Sequence, residues 1–236
     1  MIDWFFLILL ILIPSIGAFK GKQISNKKVV SRKAFYLKDI ISILLFLIII
    51  LLIKPSAFEK IDFQKIGKGF TISKEIVSGI MPVFFVPFFL SFFKNNNIYP
   101  KNILDTKEFF GIPIDKFPNS MSEWWLFGLY ILLGVVFEEL ICRQFMFYSL
   151  NEVLGLKGDS LLLISSFFFA IGHLYQGVKG ILTALILGLI LGKLFQIQEN
   201  ILYPILLHLF LNITVLPFAI RRIKELKKRD VPSNKY

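Results

Sequence analysis

Three groups of polar side chains interrupt apolar runs in this 236-residue chain: Glu138, Glu139 and Arg143; His173, one turn after Phe169; and His208 with Asn212. The sequence contains 2 histidines, and both belong to these groups. Glu139 and Arg143 are four residues apart with the acid on the N-terminal side, the favourable order for an ion pair on one helical face. Each then neutralises the other. Glu138 lies about 100° further round a 3.6-residue turn and is left without a cation, which makes it a candidate general base. His208 and Asn212, also four apart, offer an imidazole and an amide to one point in space. Phe169 is placed to orient the His173 ring by packing. Hydrolysis of an amide needs an activated water and donors for the developing oxyanion, and Glu138, His173, His208 and Asn212 are of the right types.

Each group also has a plainer reading. The Glu139 and Arg143 pair can be structural, and Glu138 can be neutralised by a base elsewhere, such as Lys193. A histidine near a helix end can be interfacial, and a buried Asn212 can be interhelical glue. Cys142, four residues after Glu138, lines the same face, and a free cysteine behaves as a small hydrophobe in most cores. The coincidence matters more than any one residue. An ionisable group at the centre of a membrane helix costs roughly 2.5–3.5 kcal/mol on insertion scales.

The elements that must carry these groups are membrane helices. The chain is 56% hydrophobic and 16% aromatic with a mean hydropathy of +0.70, and it carries a formal charge of +11. So little polar surface excludes a disordered chain and a nucleic-acid module. The single cysteine excludes a disulfide scaffold. A helix needs about 20 apolar residues to cross a bilayer, and seven segments qualify: Ile2 to Phe19, Leu37 to Ile53, Glu75 to Phe93, Trp124 to Leu150, Ser160 to Tyr175, Val178 to Ile197 and Ile201 to Ile220. The expected fold is an all-α polytopic bundle of about seven spans with the active site inside it. The first segment has the alternative of a cleaved signal peptide, against which stands Asp3 with no base before the apolar run.

The charge is localised. Lys20 to Asp39 holds seven bases and one acid, and Arg221 to Tyr236 seven bases and two acids. These two clusters account for the whole +11 and read as cytoplasmic. An even number of crossings between them places the N-terminus outside and the C-terminus in the cytoplasm. The segment from Lys94 to Glu123, with Pro100, Pro113 and Pro118, reads as a loop with an interfacial stretch at Phe109 and Phe110. Trp124 and Trp125 fit an aromatic belt. Gly188 and Gly192 form a small-xxx-small pair suited to close helix packing.

At the polar groups the sequence resembles the CPBP family of intramembrane proteases, also called the Abi or CAAX-protease family, whose pattern is EExxxR, then FxxxH, then HxxxN or HxxxD on successive spans. Glu138, Glu139 and Arg143, then Phe169 and His173, then His208 and Asn212 match in order, over about residues 124 to 217. Gln144 stands where glycine is frequent and Tyr203 where tryptophan is common. The resemblance implies hydrolysis of a peptide bond in a membrane-associated protein or peptide, with Glu138 activating water, helped by His173, and His208 with Asn212 stabilising the oxyanion. Glu139, Arg143 and Phe169 would be orienting residues. It implies N-terminal helices and loops over 1–123, a protease core over 124–220 and a basic cytoplasmic tail over 221–236, in a bacterial cell membrane. Both a metal-free mechanism and a His2Glu zinc site of His173, His208 and Glu138 are open, with the metal-free one preferred because Asn212 is an unusual zinc ligand. The alternatives are a non-catalytic bacteriocin-immunity or scaffold protein of the same fold, a haem protein ligated by His173 and His208, and a proton-coupled transporter. No nucleic-acid partner is expected.

Overall fold

The computed structural model describes residues 31–58, 108–109, 112–113 and 116–229. It is helical apart from one ladder of two-residue strands. The elements are α1 (Arg32–Ile53), a 3-10 turn (Pro55–Ala57), β1 (Glu108–Phe109), β2 (Ile112–Pro113), α2 (Met121–Glu139), a π-helical turn (Leu140–Phe145), α3 (Met146–Leu154), α4 (Gly158–Ile171), a second 3-10 turn (Leu174–Gln176), α5 (Gly177–Gln198) and α6 (Leu202–Arg229). The strands are antiparallel, pairing Glu108 with Pro113 and Phe109 with Ile112. The expected spans Ile2 to Phe19 and Glu75 to Phe93 lie outside the described residues, as does most of the loop from Lys94 to Glu123.

Local chemistry sets the helix ends. Ser31 Oγ accepts from Ala34 N at 3.2 Å at the start of α1. Ser120 Oγ accepts from Glu123 N at 3.4 Å, while the Glu123 carboxylate accepts from Asn119 N at 2.8 Å, a reciprocal cap for α2. α3 ends on Gly155 at φ 64°, a left-handed cap that glycine takes without steric cost.

Helices suit a bilayer because each satisfies its own backbone polar groups. Three stretches are long and apolar enough to cross: Arg32–Leu52 (21 residues), Met121–Leu154 (34 residues, through the π turn) and Gly180–Gln198 (19 residues). The other two spans expected among the described residues are shorter. α4 has 14 residues, about 21 Å at 1.5 Å per residue against a core of roughly 30 Å, and the apolar part of α6 is Leu202–Pro217. Among the described residues, then, three helices are long and apolar enough to cross and two apolar helices are shorter, so seven spans are not shown. α4 stops early because the chain turns at Gly172 and His173 into the second 3-10 turn.

The burial pattern is that of a membrane bundle. Leu52, Trp125 and Val178 are exposed, whereas Glu139, Arg143, Gln144 and His208 are buried. α4 and α5 form the most extensive helix pair. Gly188 makes that approach possible, since a Cβ there would stand 3.2 Å from the Ser166 backbone and 3.3 Å from the Phe169 ring. At Gly192 a Cβ would meet Leu162 Cδ1 at 2.5 Å. The small-xxx-small pair is thus the α4/α5 contact. α1 packs along α2, and Tyr36 Oη donates to Lys116 O at 2.7 Å.

Candidate active site

The long helix from Met121 to Leu154 changes its winding where the acidic pair ends. Met146 N–H bonds to Ile141 O, a five-residue step in place of four, and such π turns occur frequently at functional sites. Glu138 and Glu139 close α2, and Arg143 lies within the wider turn.

Glu139 and Arg143 are both fully buried, and Arg143 Nε lies 3.1 Å from Glu139 Oε2. The expected ion pair is present. Arg143 also donates from Nη2 to Gly188 O at 3.2 Å and holds its guanidinium carbon 4.9 Å over the Phe169 ring. One cation thus ties α2 to α4 and α5.

A contact that spacing along the sequence does not announce comes from α6. His208 Nδ1 is 2.8 Å from Glu139 Oε1, across 69 residues of sequence. The carboxylate accepts, so Nδ1 carries the proton and the ring orientation is fixed. Nε2 is left facing Glu138, whose Oε2 is 3.7 Å away. Glu138 is the open member of the acidic pair, with its side chain 38% exposed against 0% for Glu139. Lys193, considered as its counter-ion, instead pairs with Asp159 at 3.5 Å.

Phe169 joins the remaining parts. Its ring centroid is 4.7 Å from that of His173 and 5.9 Å from that of His208. It orients His173 by ring contact, as its spacing suggests, and by a second means as well: its carbonyl accepts from His173 Nδ1 at 2.8 Å. A carbonyl only accepts, so Nδ1 donates and the neutral ring keeps its lone pair on Nε2. Phe169 thus brings Arg143, His173 and His208 together. Asn212 is half-buried one turn beyond His208 on α6, and its side chain makes no hydrogen bond among the described residues. Cys142 is buried in the apolar cluster with Ile141 and Phe145.

The carboxylates are divided between the two nitrogens of His208. Glu139 and Glu138 address opposite nitrogens of His208, so the two carboxylates do not converge with that ring on one ion. Among the described residues no three His, Cys, Asp or Glu side chains are gathered to hold one.

The fold and site define a class: a membrane helix bundle with a carboxylate-oriented histidine and a second, accessible carboxylate inside it. Residues 120–214, less than half of the chain, match the family model described as type II CAAX prenyl endopeptidase Rce1-like, a family of peptidases. Glu138, Glu139, Arg143, Phe169, His173, His208 and Asn212 all fall inside the match. Neither a curated protein nor a solved structure gives a significant match.

Proposed function

We propose that the chain is an intramembrane endopeptidase that hydrolyses a peptide bond of a membrane-associated protein or peptide. In this reading residues 124–220 form the protease core, 1–123 the N-terminal helices and loops, and 221–236 a basic tail on the cytoplasmic side. The observation that carries it is the His208 ring, locked at Nδ1 by buried Glu139 and facing accessible Glu138 with Nε2.

The reaction follows from this arrangement. Glu138 takes a proton from water as its oxygen attacks the scissile carbonyl carbon. His173, with its ring set by Phe169, accepts a hydrogen bond from the same water at Nε2. The carbonyl oxygen becomes an oxyanion, held by His208 Nε2–H and the Asn212 amide. When His208 carries both protons, Glu139 balances its charge. Collapse of the intermediate breaks the C–N bond, and Glu138 returns its proton to the leaving nitrogen, so the products are a carboxylic acid and an amine. A preorganised oxyanion donor is worth about 10²–10³-fold in kcat.

The test is a comparison of membrane peptidomes from cells expressing the wild-type chain and Glu138→Ala. New peptide termini that depend on Glu138 are expected. Identical peptidomes would overturn the reading in favour of a non-catalytic member of the fold.

A further inference from the structure

The turn after α1 reaches across 87 residues of sequence to the π turn. Gln144, next to Arg143, is buried and donates from Nε2 to Ala57 O at 2.8 Å. Ala57 is fully buried in the apolar cluster that holds Ile50, Ile141, Cys142 and Phe145. A carbonyl in such surroundings needs its partner, because an unmet buried acceptor carries the full cost of its desolvation. The same turn is held at its outer side, where Lys54 Nζ pairs with Glu152 Oε2 at 2.8 Å and lies 5.6 Å over the Tyr148 ring. On the other side of the π turn, Phe46 of α1 meets Phe137 edge-on at 5.5 Å, one residue before Glu138. α1 and its turn therefore grip the long helix on both sides of the change in winding.

That change sets the site. Relaxing a π turn to an α-helix drops one residue from the turn and rotates the N-terminal helical segment against the C-terminal one by about 100°. Glu138 and Glu139 precede the turn, and Arg143 lies within it. We propose that Gln144 is a positioning residue of the active site and the Lys54-to-Ala57 turn its anchor: the Gln144–Ala57 hydrogen bond holds the winding that aims Glu139 at His208. The catalytic unit then includes a segment well before residue 120, where the family match begins. Only the kinetic part of this inference rests on the proposed peptidase activity.

The test uses the full-length chain in detergent, labelled with ¹⁵N-histidine. With 2 histidines in the sequence, a His173→Gln variant assigns the spectrum. The wild type is expected to give a downfield Nδ1 proton from His208. Gln144→Met keeps the length and apolar bulk of the side chain and removes the donor; it is expected to shift or broaden that resonance and leave His173 in place. Lys54→Met, which loosens the same turn at its Glu152 and Tyr148 contacts, is expected to shift it in the same direction by less, and decides the matter if Gln144→Met does not fold. On a peptide cleaved by the wild type, Gln144→Met is expected to lower kcat by about tenfold with KM within about twofold. A His208 resonance unmoved by either variant overturns the proposal. If the wild type cleaves nothing, the peptidase reading fails and the resonance still decides this one.

Discussion

His208 Nδ1 donates to Glu139 Oε1 at 2.8 Å, joining α6 to the end of α2 inside the bundle. The bond turns a carboxylate that already has a cation into the orienting partner of an imidazole. It also divides the acidic pair by role: Glu139 is sealed and fixes geometry, while Glu138 is accessible on the far side of the ring.

Glu139→Gln keeps the shape of that partner and removes its charge. The expected result is a loss of about 10²–10⁴ in kcat, on the scale seen when the orienting carboxylate of a catalytic histidine is made neutral. Arg143 is left buried without its counter-ion, so thermal unfolding in detergent should move to lower temperature. Activity close to wild type would contradict the orienting role.

Arg143 contacts Glu139, Gly188 and the Phe169 ring at once. Arg143→Met strands a buried carboxylate and should destabilise the protein by about 3–5 kcal/mol. Arg143→Lys should fail to rescue activity, because an ammonium lacks the planar fork that spans several partners. The double variant Glu139→Gln/Arg143→Met should recover stability relative to Arg143→Met without recovering activity. Denaturation and peptide cleavage assayed side by side measure both.

Gly188 and Gly192 should differ in sensitivity. At Gly188 an added methyl meets the Ser166 backbone and the Phe169 ring, neither of which gives way easily. At Gly192 it meets the flexible end of Leu162. Gly188→Ala should therefore cost about 1–3 kcal/mol and lower cleavage by displacing Phe169, whereas Gly192→Ala should cost less despite the shorter contact. The reverse order would show that α4 does not position Phe169 in this way.

Chelation should leave cleavage unchanged within about twofold, because in the proposed reaction Glu138 itself takes the proton from the attacking water. Activity lost to a chelator and restored by zinc would contradict this.

Parts of this site are legible in the sequence because they are local. Four-residue spacing on one helix is enough to pair Glu139 with Arg143 and to set Phe169 against His173. The Gly188 and Gly192 spacing likewise announces a close helix contact. What spacing does not report is the partner across the bundle. The Glu139–His208 bond depends on how α6 crosses α2, and the separation of Glu138 from Glu139 into open and sealed positions depends on that crossing. The π turn is hidden for a related reason: Leu140 to Phe145 reads as part of one continuous helix, and only the Met146 N–H to Ile141 O bond reveals the wider winding. Span length is overestimated at His173, where apolar residues continue to Leu174 and Tyr175 while the helix has already ended at Ile171.

The central claim is that Glu138 activates the water that cleaves a peptide bond. Its most direct measurement is mass spectrometry of peptides released when the purified protein, in liposomes carrying a membrane-protein extract, is incubated in ¹⁸O-water. Wild-type protein should release peptides carrying one ¹⁸O in each newly formed carboxyl group, and Glu138→Ala should release none of them. The same labelled termini in equal amount from both proteins would contradict the account.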